Sequence, residues 1–182
     1  MAPRPHPCYR SPMPDSLRRR RLAPQPAERP RHHVVPAHRP WAAARPTHDA
    51  HGELLFAYGT LALPEIQEAL LGYRLAGQPA RLAGFRRFRV RDAVYPGIVP
   101  QPGGTLEGVL YRGLDAAAWA ELDAFESDDY QRSFVHVDCA GSLVAAQVYV
   151  VAPHCLHTVT DEPWDLAAFA REHLDSYLTR LD

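Results

Sequence analysis

Two short stretches of this chain carry residue types that could do chemistry together. The first is LDAFESDDYQR, residues 122–132, with Glu126 at its centre. A helix is expected over residues 115–125, with Asp115 as its N-cap and Trp119, Leu122 and Phe125 on one side. Glu126 then falls at or just past the helix C-terminus and faces the negative end of the helix dipole. Asp123, Asp128 and Asp129 add like charge close by, and both effects raise a carboxylate's proton affinity, as any burial does. A carboxylate tuned upward in this way suits a general base; the alternative is a solvated acid at a helix end. Tyr130 is open to two readings, a hydrogen-bond donor to a substrate or a packing residue, and Arg132 has local aspartates to pair with.

The second stretch is LLFAYGTLALPE, residues 54–65. Residues 54–58 are apolar and aromatic like a buried strand, and Gly59 permits a backbone path that a side chain would hinder. Pro64 and Glu65 are typical of a helix first turn. A strand, a tight turn and a helix start in succession direct several backbone N–H groups to one spot, which suits a carboxylate or a developing oxyanion.

Other reactive side chains are less well organised. His154, Cys155 and His157 are close in sequence but lack a further paired ligand motif, so no metal site is expected. A Cys–His pair would support an acyl-enzyme route through Cys139 or Cys155, but sequence adjacency seldom supplies that geometry. No P-loop signature is present, and no cofactor is expected. Three cysteines, an odd number without CxxC spacing, argue against a disulfide framework and for a reducing, cytoplasmic setting.

The elements that must position these residues occupy the last two-thirds of the 182 residues. The first fifty hold ten arginines, three acids and eleven of the eighteen prolines; the remainder holds ten arginines and eighteen acids. Residues 1–52 therefore read as a disordered Pro/Arg-rich tail, with an upstream start codon as an alternative origin for it. Arg18 to Arg21 could attract nucleic acid or acidic lipid, but nothing else supports such a partner, and a solvated tail is the alternative. No apolar run reaches the about 18–20 residues that cross a membrane. Residues 53–182 form one domain. Strands are expected at 54–58, 80–90, 94–100, 107–112, 133–139 and Ser142–Val151, the last two joined by a hairpin at Ala140-Gly141. Pro102, Gly103 and Gly104 mark a loop. Helices are expected at Pro64–Leu71, 115–125 and 163–181, the last with an apolar stripe that reads as core packing. Many short strands with few helices predict an α+β fold, its sheet closed as a small mixed β-barrel with flanking helices.

FAYGTL (56–61), VYPGIV (94–99), LEGVLY (106–111), LDAFESDDYQR (122–132) and QVYVV (147–151), in this order, resemble the γ-glutamylcyclotransferase-like superfamily, in its AIG2-like branch. The segments WDLAAF and REHLDSYL resemble the family's usual tail. The resemblance implies a mixed barrel whose first turn, here Tyr58, Gly59, Thr60 and Leu61, binds a γ-glutamyl group through backbone atoms. It places the catalytic glutamate on Glu126 and a pocket tyrosine on Tyr130, with Tyr95 to Ile98 in the pocket wall. The implied reaction converts a γ-glutamyl amino acid or amine into 5-oxoproline and the free amine, without metal or cofactor. The alternative is a relative that binds such a small molecule without turnover. The substrate's leaving group and the oligomeric state are not legible in the sequence.

Overall fold

The computed structural model describes residues 54–181. The expected tail, residues 1–52, lies outside the described residues.

Six strands are present among the described residues: β1 (Leu55–Ala57), β2 (Gly77–Val90), β3 (Pro96–Tyr111), β4 (Tyr130–Cys139), β5 (Ser142–Val151) and β6 (Val159–Pro163). Their order is β3-β1-β5-β4-β2-β6, and a further β2–β3 pairing closes the first five into a mixed barrel. Four α-helices of the described residues flank it: α1 (Pro64–Leu71), α2 (Ala116–Glu126), α3 (Leu166–Glu172) and α4 (Leu174–Leu181).

Strand β1 shows why an unbroken apolar run is needed. Its side chains alternate between two cores. Leu54, Phe56 and Tyr58 pack inside the barrel with Ile98, Leu110, Val137 and Val148. Leu55 and Ala57 pack outside, with Ile66, Leu70, Trp119 and Leu122 of α1 and α2. β1 is central, pairing antiparallel with β3 and parallel with β5, so it is covered on both faces.

Helix α2 begins as expected: Asp115 Oδ1 accepts a hydrogen bond from the Ala118 N–H at 2.8 Å. The β4–β5 hairpin turns at Ala140 and Gly141, both at positive φ, as a two-residue hairpin turn favours.

Three expectations need correction. Pro102–Gly103–Gly104 is not a loop between two strands; the strands expected at 94–100 and 107–112 merge into the single strand β3, which begins at Pro96 and ends at Tyr111. The glycines mark a bulge: Ala83 pairs with Thr105 and Phe85 with Pro100, so Gln101 to Gly104 stand opposite Gly84 alone. Gly84 takes φ +81°, a conformation that bulges commonly assign to glycine. The expected helix over 163–181 is two helices. Pro163 ends strand β6, Asp165 caps α3 by accepting from the Ala168 N–H at 2.7 Å, and the chain breaks at His173. Strand β6 itself, VTDEP, has no apolar alternation and exists through its pairing with Phe88 and Val90 of β2.

Candidate active site

A cavity of about 360 Å³ opens where β1 leaves the barrel, with Tyr58, Gly59, Thr60 and Leu61 on one side and Glu126 on the other. Residues 65 positions apart along the chain thus meet, because β1 and the end of α2 share this rim. Tyr95 and Tyr130 also line the cavity with the turn and Glu126, whereas Ile98, expected in the same wall, is buried in the barrel core.

The turn after β1 is pinned through its carbonyls. The guanidinium of Arg87 donates to the Tyr58 carbonyl. The Gly59 carbonyl accepts from Ala62 N–H at 2.9 Å and the Thr60 carbonyl from Leu63 N–H at 3.0 Å. Buried Gln67 donates to the Leu61 carbonyl at 2.8 Å, and the Tyr111 hydroxyl donates to the Ala62 carbonyl at 3.1 Å. Every carbonyl from Tyr58 to Ala62 is engaged. The N–H groups of Gly59, Thr60 and Leu61 have no acceptor among the described residues. The turn therefore borders the cavity with donors to spare.

Gly59 is required for a different reason from the one expected. Its φ is −125°, so left-handed geometry is not at issue. A Cβ there would stand 2.8 Å from Cγ of Pro96, so glycine lets β3 approach the turn.

Glu126 is the last residue of α2. The helix stops there because Ser127 takes φ +56°, ψ −162°, a region that side chains rarely enter. Glu126 is half-buried by surface, because the cavity reaches it, yet protein surrounds it, and its carboxyl is pushed up to about 8. Burial is the main cause and the charge of Asp123 the second. The expected effect of Asp128 and Asp129 is not among the causes: Asp128 is exposed, and the carboxyl of Asp129 sits beside His154. The cavity, more than the run of acids, sets the proton affinity.

The rest of the wall is aromatic. Tyr130 donates its hydroxyl hydrogen to the Pro96 carbonyl at 2.8 Å and packs edge-on to Tyr95, with ring centroids 6.5 Å apart. The Tyr130 hydroxyl hydrogen is thus engaged within the protein, while the ring lines the cavity. Tyr58 donates to the Tyr149 carbonyl at 2.7 Å, and Tyr149 donates to Asp123 Oδ1 at 2.7 Å. Asp123 Oδ2 also meets Arg132 at 3.2 Å, and Arg132 lies over the Trp119 ring at 4.7 Å. Burial first, and the Glu126 charge as a further cause, raise the pKa of Tyr58, Tyr130, Tyr149 and Tyr177. These hydroxyls stay neutral and supply dipoles without competing charge.

Sequence reasoning missed Tyr149, Tyr177, Arg180 and Arg87. Tyr177 belongs to the C-terminal stripe assigned to core packing, yet it lines the cavity together with Thr60. Arg180 joins the same wall one helical turn on. The helical period could have placed them on one face but not named what that face meets. Asp129, His154 and Cys155 bring ligand-type atoms within 4.8 Å of one another, and His157 is not part of that group.

A closed five-stranded mixed barrel with helices on its outside and a cavity at the end of its first strand is the γ-glutamyl cyclotransferase-like fold. A solved γ-glutamyl cyclotransferase shares it at a TM-score of 0.52 and 19% identity, over 71% of this chain and 85% of that one. An Arabidopsis thaliana protein solved in solution matches at 0.56 and 24%, over 74% and 82%. The sequence narrows this class: residues 55–166 match the model of the γ-glutamyl cyclotransferase, AIG2-like family, and the chain belongs to that family. AIG2-like protein C of Arabidopsis thaliana is 39% identical over 83 residues, which are 46% of this chain and 48% of that protein. Protein AIG2 A of the same plant is 25% identical over 138 residues, 73% and 76% of the two chains. The chain spans about half the length of the AIG2-like proteins A, B and C that it matches. No helix among the described residues is long and apolar enough to cross a membrane.

Proposed function

We propose that this protein is a γ-glutamylcyclotransferase-type enzyme that converts a γ-glutamyl amino acid or amine into 5-oxoproline and the free amine, with Glu126 as general base and then acid. The observation that carries the proposal is the Glu126 carboxyl, raised to about 8 in the cavity that the donor-bearing turn borders.

In this reading the α-amino nitrogen of the substrate attacks its own γ-carbonyl carbon. The ammonium first gives a proton to Glu126, whose raised proton affinity brings it nearer to an amine's than an ordinary carboxylate's and makes the transfer less uphill. The new N–C bond forms as the carbonyl oxygen takes up negative charge, which free N–H groups of the turn at Gly59–Leu61 stabilise. Protonated Glu126 then delivers its proton to the leaving nitrogen, the old C–N bond breaks, and the ring nitrogen gives its second proton to the Glu126 carboxylate so formed, which passes it to the departing amine. The cavity holds the γ-glutamyl half folded for five-ring closure. Tyr95 and Tyr130 shape the wall beside it.

The test is 5-oxoproline release from a panel of γ-glutamyl amino acids and amines, with Glu126→Gln run alongside. Release by the parent and loss of about 10²-fold or more in the variant is the expected result. Equal turnover in folded Glu126→Gln would remove Glu126 from the mechanism. Binding without release by the parent would leave a binding domain.

A further inference from the structure

We propose that Arg87 is a positioning residue: by holding the Tyr58 carbonyl, it turns the Gly59 N–H into the cavity and makes that N–H an oxyanion donor. The inference rests on the cyclotransferase reading for its catalytic half; its structural half stands without it.

The peptide between Tyr58 and Gly59 is trans, like every peptide bond among the described residues, so its C=O and N–H point in opposite directions. Arg87 lies on β2 and does not border the cavity, whereas Tyr58 and Gly59 do. A bond from Arg87 draws the carbonyl away from the cavity, and the N–H on the far side of the same plane faces it. That N–H has no acceptor among the described residues.

Something must hold this plane. Glycine at 59 lets a peptide rotate at small cost, since no Cβ opposes the change in φ. The other carbonyls of the turn are held by backbone N–H groups or by neutral side chains, Gln67 and Tyr111. The Tyr58 carbonyl is held by a charged side chain, and hydrogen bonds to ions are about twice as strong as neutral ones. Arg87 is itself braced. Its guanidinium lies over the Trp164 ring at 5.0 Å, and the indole N–H donates to the Val94 carbonyl at 2.7 Å. Asp165, the N-cap of α3, adds a favourable charge to the half-buried cation. β2, α3 and the β2–β3 connection thus meet behind one peptide plane. If the plane turned over, a carbonyl oxygen would face the reacting centre and repel the developing negative charge.

The experiment compares the parent with Arg87→Met, which keeps length and loses the donors, and Arg87→Lys, which keeps one charged donor. Each is crystallised, and 5-oxoproline release is measured on whichever γ-glutamyl compound the parent turns over. In Arg87→Met the Tyr58–Gly59 peptide is expected to rotate or to occupy two orientations. Turnover should fall about 10²-fold or more in kcat with KM within about threefold, because the charge develops only in the transition state. Arg87→Lys should keep the orientation and lie within about tenfold of the parent in kcat. A merely structural role would lower the thermal midpoint and leave kcat per folded enzyme unchanged, which would overturn the proposal. An unmoved peptide in Arg87→Met would overturn it as well. Should that variant not fold, Arg87→Lys decides: full turnover with the Tyr58 carbonyl unbonded refutes the assignment, and retained turnover with the bond in place supports it. Absence of product from the parent would sink the cyclotransferase reading, and peptide orientation in the crystals would still decide what Arg87 does.

Discussion

Glu126 should cost the protein stability at high pH, and Glu126→Gln should return it. The carboxyl titrates at about 8 in the folded protein against an ordinary value of 4.5. Between those pH values the folded state keeps a proton that the unfolded state has released. Stability therefore falls as pH rises from about 4.5 and levels off above about 8, with a limiting slope of ~1.4 kcal/mol per pH unit for this group. The ceiling is ~5 kcal/mol. Water admitted by the cavity mouth screens part of it, so a difference of ~2–4 kcal/mol is expected. That is a large share of the ~5–15 kcal/mol by which a domain is usually stable. Glutamine has the shape of the protonated acid and does not titrate. Urea unfolding followed by tryptophan fluorescence, on the parent and Glu126→Gln from pH 5 to 9, isolates the effect, because other groups cancel in the difference. The two proteins should nearly coincide at pH 5 and separate towards pH 9, with the variant the more stable. Parallel curves would mean that Glu126 is an ordinary carboxyl and would refute the assignment of burial as the tuning force.

Three further outcomes are expected. The rate of 5-oxoproline release should climb about tenfold per pH unit below pH 7 and peak near about 8, since one proton must leave the Glu126–amine pair before reaction; a plateau already reached at pH 5 would contradict this. Gly59→Val puts side-chain atoms where a Cβ alone lies 2.8 Å from Pro96, so ligand affinity measured by calorimetry should drop about tenfold or more, and normal affinity in the folded variant would count against the turn as a cradle. Ser127→Gly removes a side chain from a region that costs ~1–3 kcal/mol, offset by ~0.5–1 kcal/mol of glycine entropy, so the variant should unfold at a higher urea concentration; lower stability would show that Ser127 is not strained.

The sequence was most legible where the physics is local. The N-cap at Asp115, the first helix at Pro64–Leu71 and the hairpin at Ala140-Gly141 follow from side chains acting within four residues of one another. So does the strand–turn–helix order around Gly59. The two stretches with chemical promise, and Glu126 within one of them, could be named for the same reason. Strand β6 could not, because its residues become a strand only through Phe88 and Val90 of β2. Nor could the continuity of β3 through Pro102 and the two glycines, which depends on what pairs beside them. The cavity lies furthest from local signals. Tyr58 meets Tyr149 across 91 residues, Arg87 reaches the Tyr58 carbonyl from another strand, and Tyr177 arrives on the last helix. The sequence alone determined which side chains were available and which local turns they prefer. Tertiary structure alone decided that Glu126 would be tuned chiefly by burial, since removing a charge from water depends on what the whole barrel packs around it.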